Sequence, residues 1–296
     1  MHRLSFIVVL FAAAGLVACA AKDSSRIDTT KVAQSGAPAA AASRGSFDPA
    51  THVATVYAHD FAFEAPSSIS AGWTTFHLVN DGPNLHHVQL VRLDSGKTAN
   101  DLAAAMKNPG PPPMWAAFVG GPNAPNPHGE SSLTMNLAPG NYVLLCLVDL
   151  PDHVPHFAKG MFQPLTVTPA VGTPMAEPTA DMTVTLYDYN FDVTGTLTPG
   201  KHTIKIVNRG PQPHEIEMAR PAAGKSAKDV LAWIAKPAGP PPGDAIGGTS
   251  AIVPGSAVYY TVDVTPGDYA LLCLIPDGKD GKMHAEHGMV KDIVVK

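Results

Sequence analysis

Cysteine is scarce in this chain, with three residues among 296. Cys19 closes an N-terminal apolar stretch, and Cys146 and Cys273 fall one in each half. An odd count with one thiol per half argues against a disulfide framework and gives each cysteine its own task. Charge is also sparse: 15% of residues are charged, the formal net charge is −5, and no basic run occurs. That leaves no electrostatic case for nucleic acid as a partner. The Gly-x-Ser-x-Gly, His-Glu-x-x-His and phosphate-loop motifs of hydrolases and nucleotide enzymes are missing. No His-x-His occurs either. What is abundant is apolar: 45% hydrophobic residues can build a core, and 296 residues suit two domains better than one.

Residues 1–19 read as a secretion signal. His2 and Arg3 give a basic start, and the apolar run that follows is too short to span a bilayer. Leu16-Val17-Ala18-Cys19 resembles a bacterial lipobox, which implies that Cys19 is lipidated and becomes the first mature residue. Ala20 and Ala21 follow it, with no Asp directly after the cysteine. By the usual sorting rule for such lipoproteins this implies the outer membrane, facing the periplasm, with the lipid as the only membrane contact. Residues 20–46, rich in Ala, Ser, Thr and Gly, read as a flexible tether.

The rest of the chain is a duplication. At an offset of 128, Val79-Asn80-Asp81-Gly82-Pro83 falls on Val207-Asn208-Arg209-Gly210-Pro211, and His86 falls on His214. Gly96-Lys97-Thr98-Ala99 falls on Gly224-Lys225-Ser226-Ala227. At 127, Pro139-Gly140-Asn141-Tyr142 meets Pro266-Gly267-Asp268-Tyr269, and Leu144-Leu145-Cys146-Leu147 meets Leu271-Leu272-Cys273-Leu274. The offset then returns to 128 for His156 with His284 and Gly160-Met161 with Gly288-Met289. Such a period is too long for a solenoid and marks two tandem domains, 47–169 and 179–296, joined by a linker at 170–178.

Each half reads as all-β. Phe76 and Leu78 alternate with Thr75 and His77, Ile204 and Ile206 with Thr203 and Lys205, and Leu133, Met135 and Leu137 with Thr134 and Asn136. This period of two, bounded by Pro-Gly and Asn-Gly-type turns, is the half-buried strand pattern of a β-sandwich. One short helix interrupts each half, with Thr98 and Ser226 as N-caps and Leu102 or Val230 on the apolar face. The proline runs at Pro111, Pro112 and Pro113, and at Pro240, Pro241 and Pro242, are expected to stop these helices.

Among the residues that repeat, a sandwich core has no need of His86, Cys146, His156 and Met161, or of His214, Cys273, His284 and Met289. Two imidazoles, a thiolate and a thioether suit copper in both oxidation states, the thiolate as the soft strong ligand and the thioether as a weak axial one. Singly, each residue has a plainer reading, as a satisfied polar group, a small buried hydrophobe or a packing side chain. The order also fits, because Tyr142-Val143-Leu144-Leu145 is a strand that delivers Cys146 at one pole, with His156 and Met161 on the loop that follows.

These motifs resemble the cupredoxins. The family order is an early His after an Asn-containing turn, Tyr-x-x-x-Cys beside a Pro-Gly turn, then His-x4-Met and a closing strand. Here it runs from Asn80 to His86, Tyr142 to Cys146 and His156 to Met161, and again from Asn208 to His214, Tyr269 to Cys273 and His284 to Met289. The resemblance implies two tandem Greek-key β-sandwiches with one copper per domain, or with copper in only one of the two. It also implies that His156 and His284 are solvent-near ligands where electrons enter. The departure is the loop, with nine residues between Cys146 and His156 and ten between Cys273 and His284. This is longer than in the small electron carriers and resembles the blue-copper domain of two-domain copper nitrite reductases. It implies a more open site and leaves His153 and His287 as alternatives for the second His.

Other polar residues receive plainer readings. His52, His59, His77 and His202 are expected on exposed faces, and Asp149, Asp152, Asp277 and Asp280 in solvated loops. His87 pairs with Glu215 and is not a ligand common to both sites. Catalysis is not expected: Leu145 and Leu272 stand where a type 2 copper histidine would precede the cysteine, and the trinuclear-cluster motifs are missing. The leading expectation is a one-electron carrier serving periplasmic redox partners. The alternatives are an envelope copper-handling protein and a metal-free interaction module.

Overall fold

The computed structural model describes residues 43–107, 110 and 112–296. The signal at 1–19, Cys19, tether residues 20–42 and Pro111 lie outside the described residues. The described residues belong to one compact unit. In the first half the strands are β1 (Ser46–Asp48), β2 (Val53–His59), β3 (Ala62–Glu64), β4 (Ser68–Ser70), β5 (Gly72–Asn80), β6 (Gln89–Leu93), β7 (Ala116–Gly120), β8 (Glu130–Leu137), β9 (Gly140–Leu145) and β10 (Phe162–Thr168). In the second half they are β11 (Met182–Tyr187), β12 (Asn190–Thr194), β13 (Gly200–Asn208), β14 (His214–Pro221), β15 (Gly243–Ile252), β16 (Ala257–Val264), β17 (Gly267–Leu272) and β18 (Val290–Val295). One helix interrupts each half, α1 (Ala99–Ala105) and α2 (Ala227–Ala235). The fold is all-β, with two cupredoxin-like sandwiches.

Two sheets run through both halves. The first has the order β1-β2-β5-β8-β16-β13-β11-β12, with β3 beside β2, and the second β18-β17-β14-β15-β7-β6-β9-β10-β4. Phe76, Leu78, Leu133 and Met135 point from the first sheet into the core, as do Ile204, Ile206, Val258 and Tyr260 in the second half. The run Tyr142-Val143-Leu144-Leu145 does not alternate, because both faces of β9 are covered. Leu144 faces the main core, while Val143 and Leu145 pack with Leu102 of α1 on the other side. The helices therefore hold the outside of the sheet that carries the cysteines.

Both helices begin in a capping box, in which the hydroxyl and backbone amide of Thr98 or Ser226 engage Asp101 or Asp229. Both end ahead of the proline runs. The α1 C-cap is Met106, and α2 stops at Lys236, where the next residue, Pro237, bars further helical backbone.

The halves meet through equivalent strands. Ser132, Leu133 and Thr134 of β8 pair antiparallel with Thr261, Tyr260 and Tyr259 of β16. At the offset of 127, Leu133 thus pairs with its own counterpart, and Ser132 and Thr134 each pair with the counterpart of the other. Pro122 likewise bridges to its counterpart Thr249, and the bridges Val119 to Ile252 and Pro125 to Ile246 are mates. The domains are thus related by a pseudo-twofold axis, and their contact is the isologous kind usual between identical subunits.

Candidate metal centres

Each centre is built from a turn, a strand end and a loop. In the turn, Asn80 accepts from the Gly82 amide (3.0 Å) and donates to the Asn84 carbonyl (2.9 Å). Asn208 repeats both contacts with Gly210 and Gln212, at 2.9 and 2.8 Å. This folds the chain after β5 or β13 so that His86 or His214 enters the core. Cys146 and Cys273 follow the last residues of β9 and β17 and are fully buried.

The long loops are closed by backbone bonds. His156 N–H donates to Val148 O (2.9 Å), Phe157 N–H to Cys146 O (2.8 Å), Met161 N–H to His156 O and Cys146 N–H to Met161 O (both 3.2 Å). The second half repeats the set with His284, Ile275, Ala285, Cys273 and Met289, at 2.8–3.2 Å. Short 3-10 turns at His156–Lys159 and His284–His287 carry the second histidines. The expectation of an open site is therefore corrected.

The donor atoms converge in the same way in both halves. His86 Nδ1 and His156 Nδ1 are 3.0 Å apart, and Cys146 Sγ lies 3.9 and 3.4 Å from them. In the second half, His214 Nδ1 and His284 Nδ1 are 3.0 Å apart, and Cys273 Sγ lies 3.8 and 3.4 Å away. All six residues are buried. Met161 and Met289 are buried too, with their backbones bonded to the neighbouring histidine and cysteine. His153 and His287 are in neither cluster. His287 instead meets Asp280 (3.2 Å) at the surface.

His156 and His284 are not solvent-near, which corrects that implication of the family resemblance. Both are buried, with Phe61 and Tyr189 packed against them in T-shaped contacts, at 5.4 and 5.7 Å between centroids. Phe61 and Tyr189 occupy equivalent turns with φ of 64° and 66°, a left-handed conformation rare for aromatic residues.

Asp60 and Asp188 escaped the sequence reading, although they too lie 128 apart. Asp60 Oδ1 is 2.9 Å from His86 Nε2, and Asp188 Oδ1 is 2.9 Å from His214 Nε2. A carboxylate requires a donor, so the proton sits on Nε2 and the Nδ1 lone pair faces the cluster. Burial holds both histidines below the ordinary imidazole range, while the aspartates oppose it. Burial also pushes the Cys146 thiol up to about 12, and raises Cys273 as well. Two lone pairs and a thiol aimed at one point are an arrangement that a shared cation relieves.

The other polar expectations are mixed. His52 is buried rather than exposed, because β1 lays Phe47 across it (5.5 Å). His77 and His202 are half-buried on Ser132 and on the Thr198 carbonyl. Asp277 is not a solvated loop residue. It is buried, accepts from Tyr189, Gln212 and the Lys279 amide, and is held well below the usual carboxylate range by these bonds.

No protein-family profile matches the chain, and no curated protein matches it significantly. Among solved structures, auracyanin A, a "blue" copper protein from Chloroflexus aurantiacus, is 23% identical over 39% of this chain and 99% of its own, with a TM-score of 0.27. A multicopper oxidase is 14% identical over 86% of this chain and 94% of its own, with a TM-score of 0.27. The copper nitrite reductase of Nitrosomonas europaea is 16% identical over 82% of this chain and 93% of its own, with a TM-score of 0.24.

The sandwich pair and its donor sets define a copper-binding protein with up to two buried centres. The chain is cupredoxin-like, with two cupredoxin-like domains. The expectation that it is not an enzyme is corrected by these comparisons, because the structures aligned over most of it include an oxidase and a nitrite reductase. The missing His-x-His and the leucines before each cysteine bear on two copper cluster types alone, which is too little to exclude catalysis.

Proposed function

We propose that the protein is a copper-binding lipoprotein of the cell envelope that carries one electron at a time, with a type 1-like copper site in each domain. The observation that carries this reading is the repeated cluster of two imidazole Nδ1 atoms and one thiol, all buried. His86, Cys146, His156 and Met161 are the proposed ligands in the first domain, and His214, Cys273, His284 and Met289 in the second. Copper would supply the one-electron couple. The chain supplies a rigid, dry cradle, so little has to rearrange when the charge changes. Asp60 and Asp188 fix the ring tautomers.

The envelope location rests on the Leu16-Val17-Ala18-Cys19 sequence, with lipid on Cys19 and the outer membrane as the address. Periplasmic redox proteins are the partners this implies. The test is a visible spectrum of the chain from Ala21 onward after addition of Cu(II). A cysteine–copper bond gives intense colour, lost by half in Cys146→Ser or Cys273→Ser and wholly in the double variant. A folded protein with no colour would sink the reading. Colour without reversible reduction would favour copper storage or delivery.

A further inference from the structure

His87 and Asn123 are buried, lie between the two centres, and take no part in either donor set. His87 Nε2 accepts from the Leu147 amide (2.8 Å), directly after Cys146. That bond puts the ring proton on Nδ1, which donates to Asn123 Oδ1 (3.2 Å). Asn123 Nδ2 donates across the domain boundary to the Ile216 carbonyl (3.2 Å). Ile216 is bonded covalently to Glu215, whose amide donates to Cys273 Sγ (3.5 Å). The amide of Ala124 also donates to Asn123 Oδ1 (3.0 Å), which fixes the orientation of the carboxamide.

The pseudo-twofold axis supplies an internal control. Gly120-Gly121 and Gly247-Gly248 are mates at offset 127, so the mate of Asn123 is Ser250. Ser250 Oγ donates to the Val88 carbonyl (3.0 Å), just as Asn123 donates to Ile216. On that side the next link is missing: Glu215 accepts from the Leu274 amide (3.0 Å) as His87 does from Leu147, but the second Ser250 contact is the Gly121 carbonyl (3.2 Å). One of the two symmetric routes is thus complete and the other broken, and the residues that complete it, His87 and Asn123, are ones the duplication does not share.

We infer that the Leu147–His87–Asn123–Ile216–Glu215 relay is the electronic connection between the two centres, by which an electron passes within one molecule. This rests on the reading that both domains hold copper. One electron leaves the reduced centre of one domain and enters the oxidised centre of the other. No bond forms or breaks, and the His87 proton stays on Nδ1. A connected chain of covalent and hydrogen bonds couples two sites better than the same span across unbonded contacts.

The full chain is loaded with copper, oxidised, and given less than one electron per molecule by flash reduction. Redistribution between the centres is followed by absorbance and rapid-freeze EPR, with Cys146→Ser and Cys273→Ser giving each centre's own signature. Wild type should show a phase whose rate is independent of protein concentration. Asn123→Ala and Asn123→Ser, the latter reproducing the broken mate, should slow it severalfold or abolish it. Asn126→Ala removes a different cross-domain contact, to Asp244 (2.7 Å), and should leave the rate unchanged. Two coloured centres with no such phase in wild type, or an unchanged phase in both Asn123 variants, overturn the relay. An equal slowing in Asn126→Ala also overturns it, because domain contact rather than the relay would then set the rate. Absence of colour in wild type instead overturns the copper reading itself.

Discussion

Gly82→Ala should disable the first centre by a steric route that substitutes none of the proposed ligands. A Cβ built on Gly82 would lie 2.6 Å from His86 Nε2, 2.9 Å from its Cδ2 and 3.1 Å from Asp60 Oδ1. An ordinary contact is about 3.5 Å, so the ring must retreat by roughly 0.9 Å. That retreat disturbs the 2.9 Å bond to Asp60 and displaces Nδ1 from its place opposite His156 and Cys146. Backbone strain is not the cause, because Gly82 does not lie in the left-handed region. Overpacking of this kind costs about 1–3 kcal/mol of stability. Losing the orienting carboxylate weakens metal binding by about 10–100-fold.

The assay is a competitive copper titration of Gly82→Ala in a Cys273→Ser background, so that only the first centre is read. Thermal unfolding of the metal-free protein supplies the stability term. Gly210→Ala is the mirror experiment, with its Cβ 2.5 Å from His214 Nε2. Unchanged affinity and unfolding midpoint in both variants would refute the reasoning, since each ring would then have room that the geometry denies.

Other expectations follow from the same contacts. Asp60→Ala should weaken copper at the first centre by about 10–100-fold and leave the second unaffected, read by the same titration. Copper binding must displace the Cys146 proton, because burial holds the thiol protonated at neutral pH while His86 and His156 are already neutral. Apparent affinity should therefore rise by about tenfold per pH unit between pH 7 and 9, measured by competition, and a flat profile would contradict it. Glu217→Gln should stabilise the protein by about 1–3 kcal/mol above the carboxylate range, because Glu217 Oε1 is buried without a partner where the first domain has Gln89 donating to three carbonyls. Burial raises the folded-state value of Glu217 well above 4.5, so wild-type stability is full below the unfolded value and is lost as pH climbs toward the folded one. The Gln variant should lack that decline in thermal melts from pH 4 upward.

Much of the strand pattern was legible because a half-buried strand writes its burial as a period of two. Phe76, Leu78, Leu133 and Ile204 could be placed without coordinates for that reason. The donor residues were legible because duplication kept His, Cys, His and Met in order while their surroundings drifted. Asp60 and Asp188 carried the same signal and were missed. Each sits in a tight turn between residues that differ in the two halves, His59 and Phe61 against Tyr187 and Tyr189. The burial of Asp277 was not legible, since its donors Tyr189 and Gln212 come from turns 88 and 65 residues away. The domain contact was also hidden, because pairing β8 with β16 uses edges that look the same in the sequence whether they are covered or free.

The differences around the centres bear on the direction of electron flow. After Cys146 the chain places Leu150 where the second domain places Asp277; the Leu150 amide donates to Val154 O and the Asp277 amide to Lys282 O. Asp277 Oδ2 lies 3.7 Å from His284 Nε2, and both groups are buried. Its three donors keep it ionised, so the second centre holds a fixed negative charge that the first lacks. A nearby negative charge favours the more positive, oxidised metal, and its effect is large where water is excluded. On the copper reading the second domain therefore has the lower potential and passes its electron to the first. Spectroelectrochemical titration should resolve two midpoints in wild type, and Asp277→Asn should raise the lower one toward the other. A single shared midpoint, or a gap untouched by Asp277→Asn, would mean that this charge is compensated and that the direction is set elsewhere.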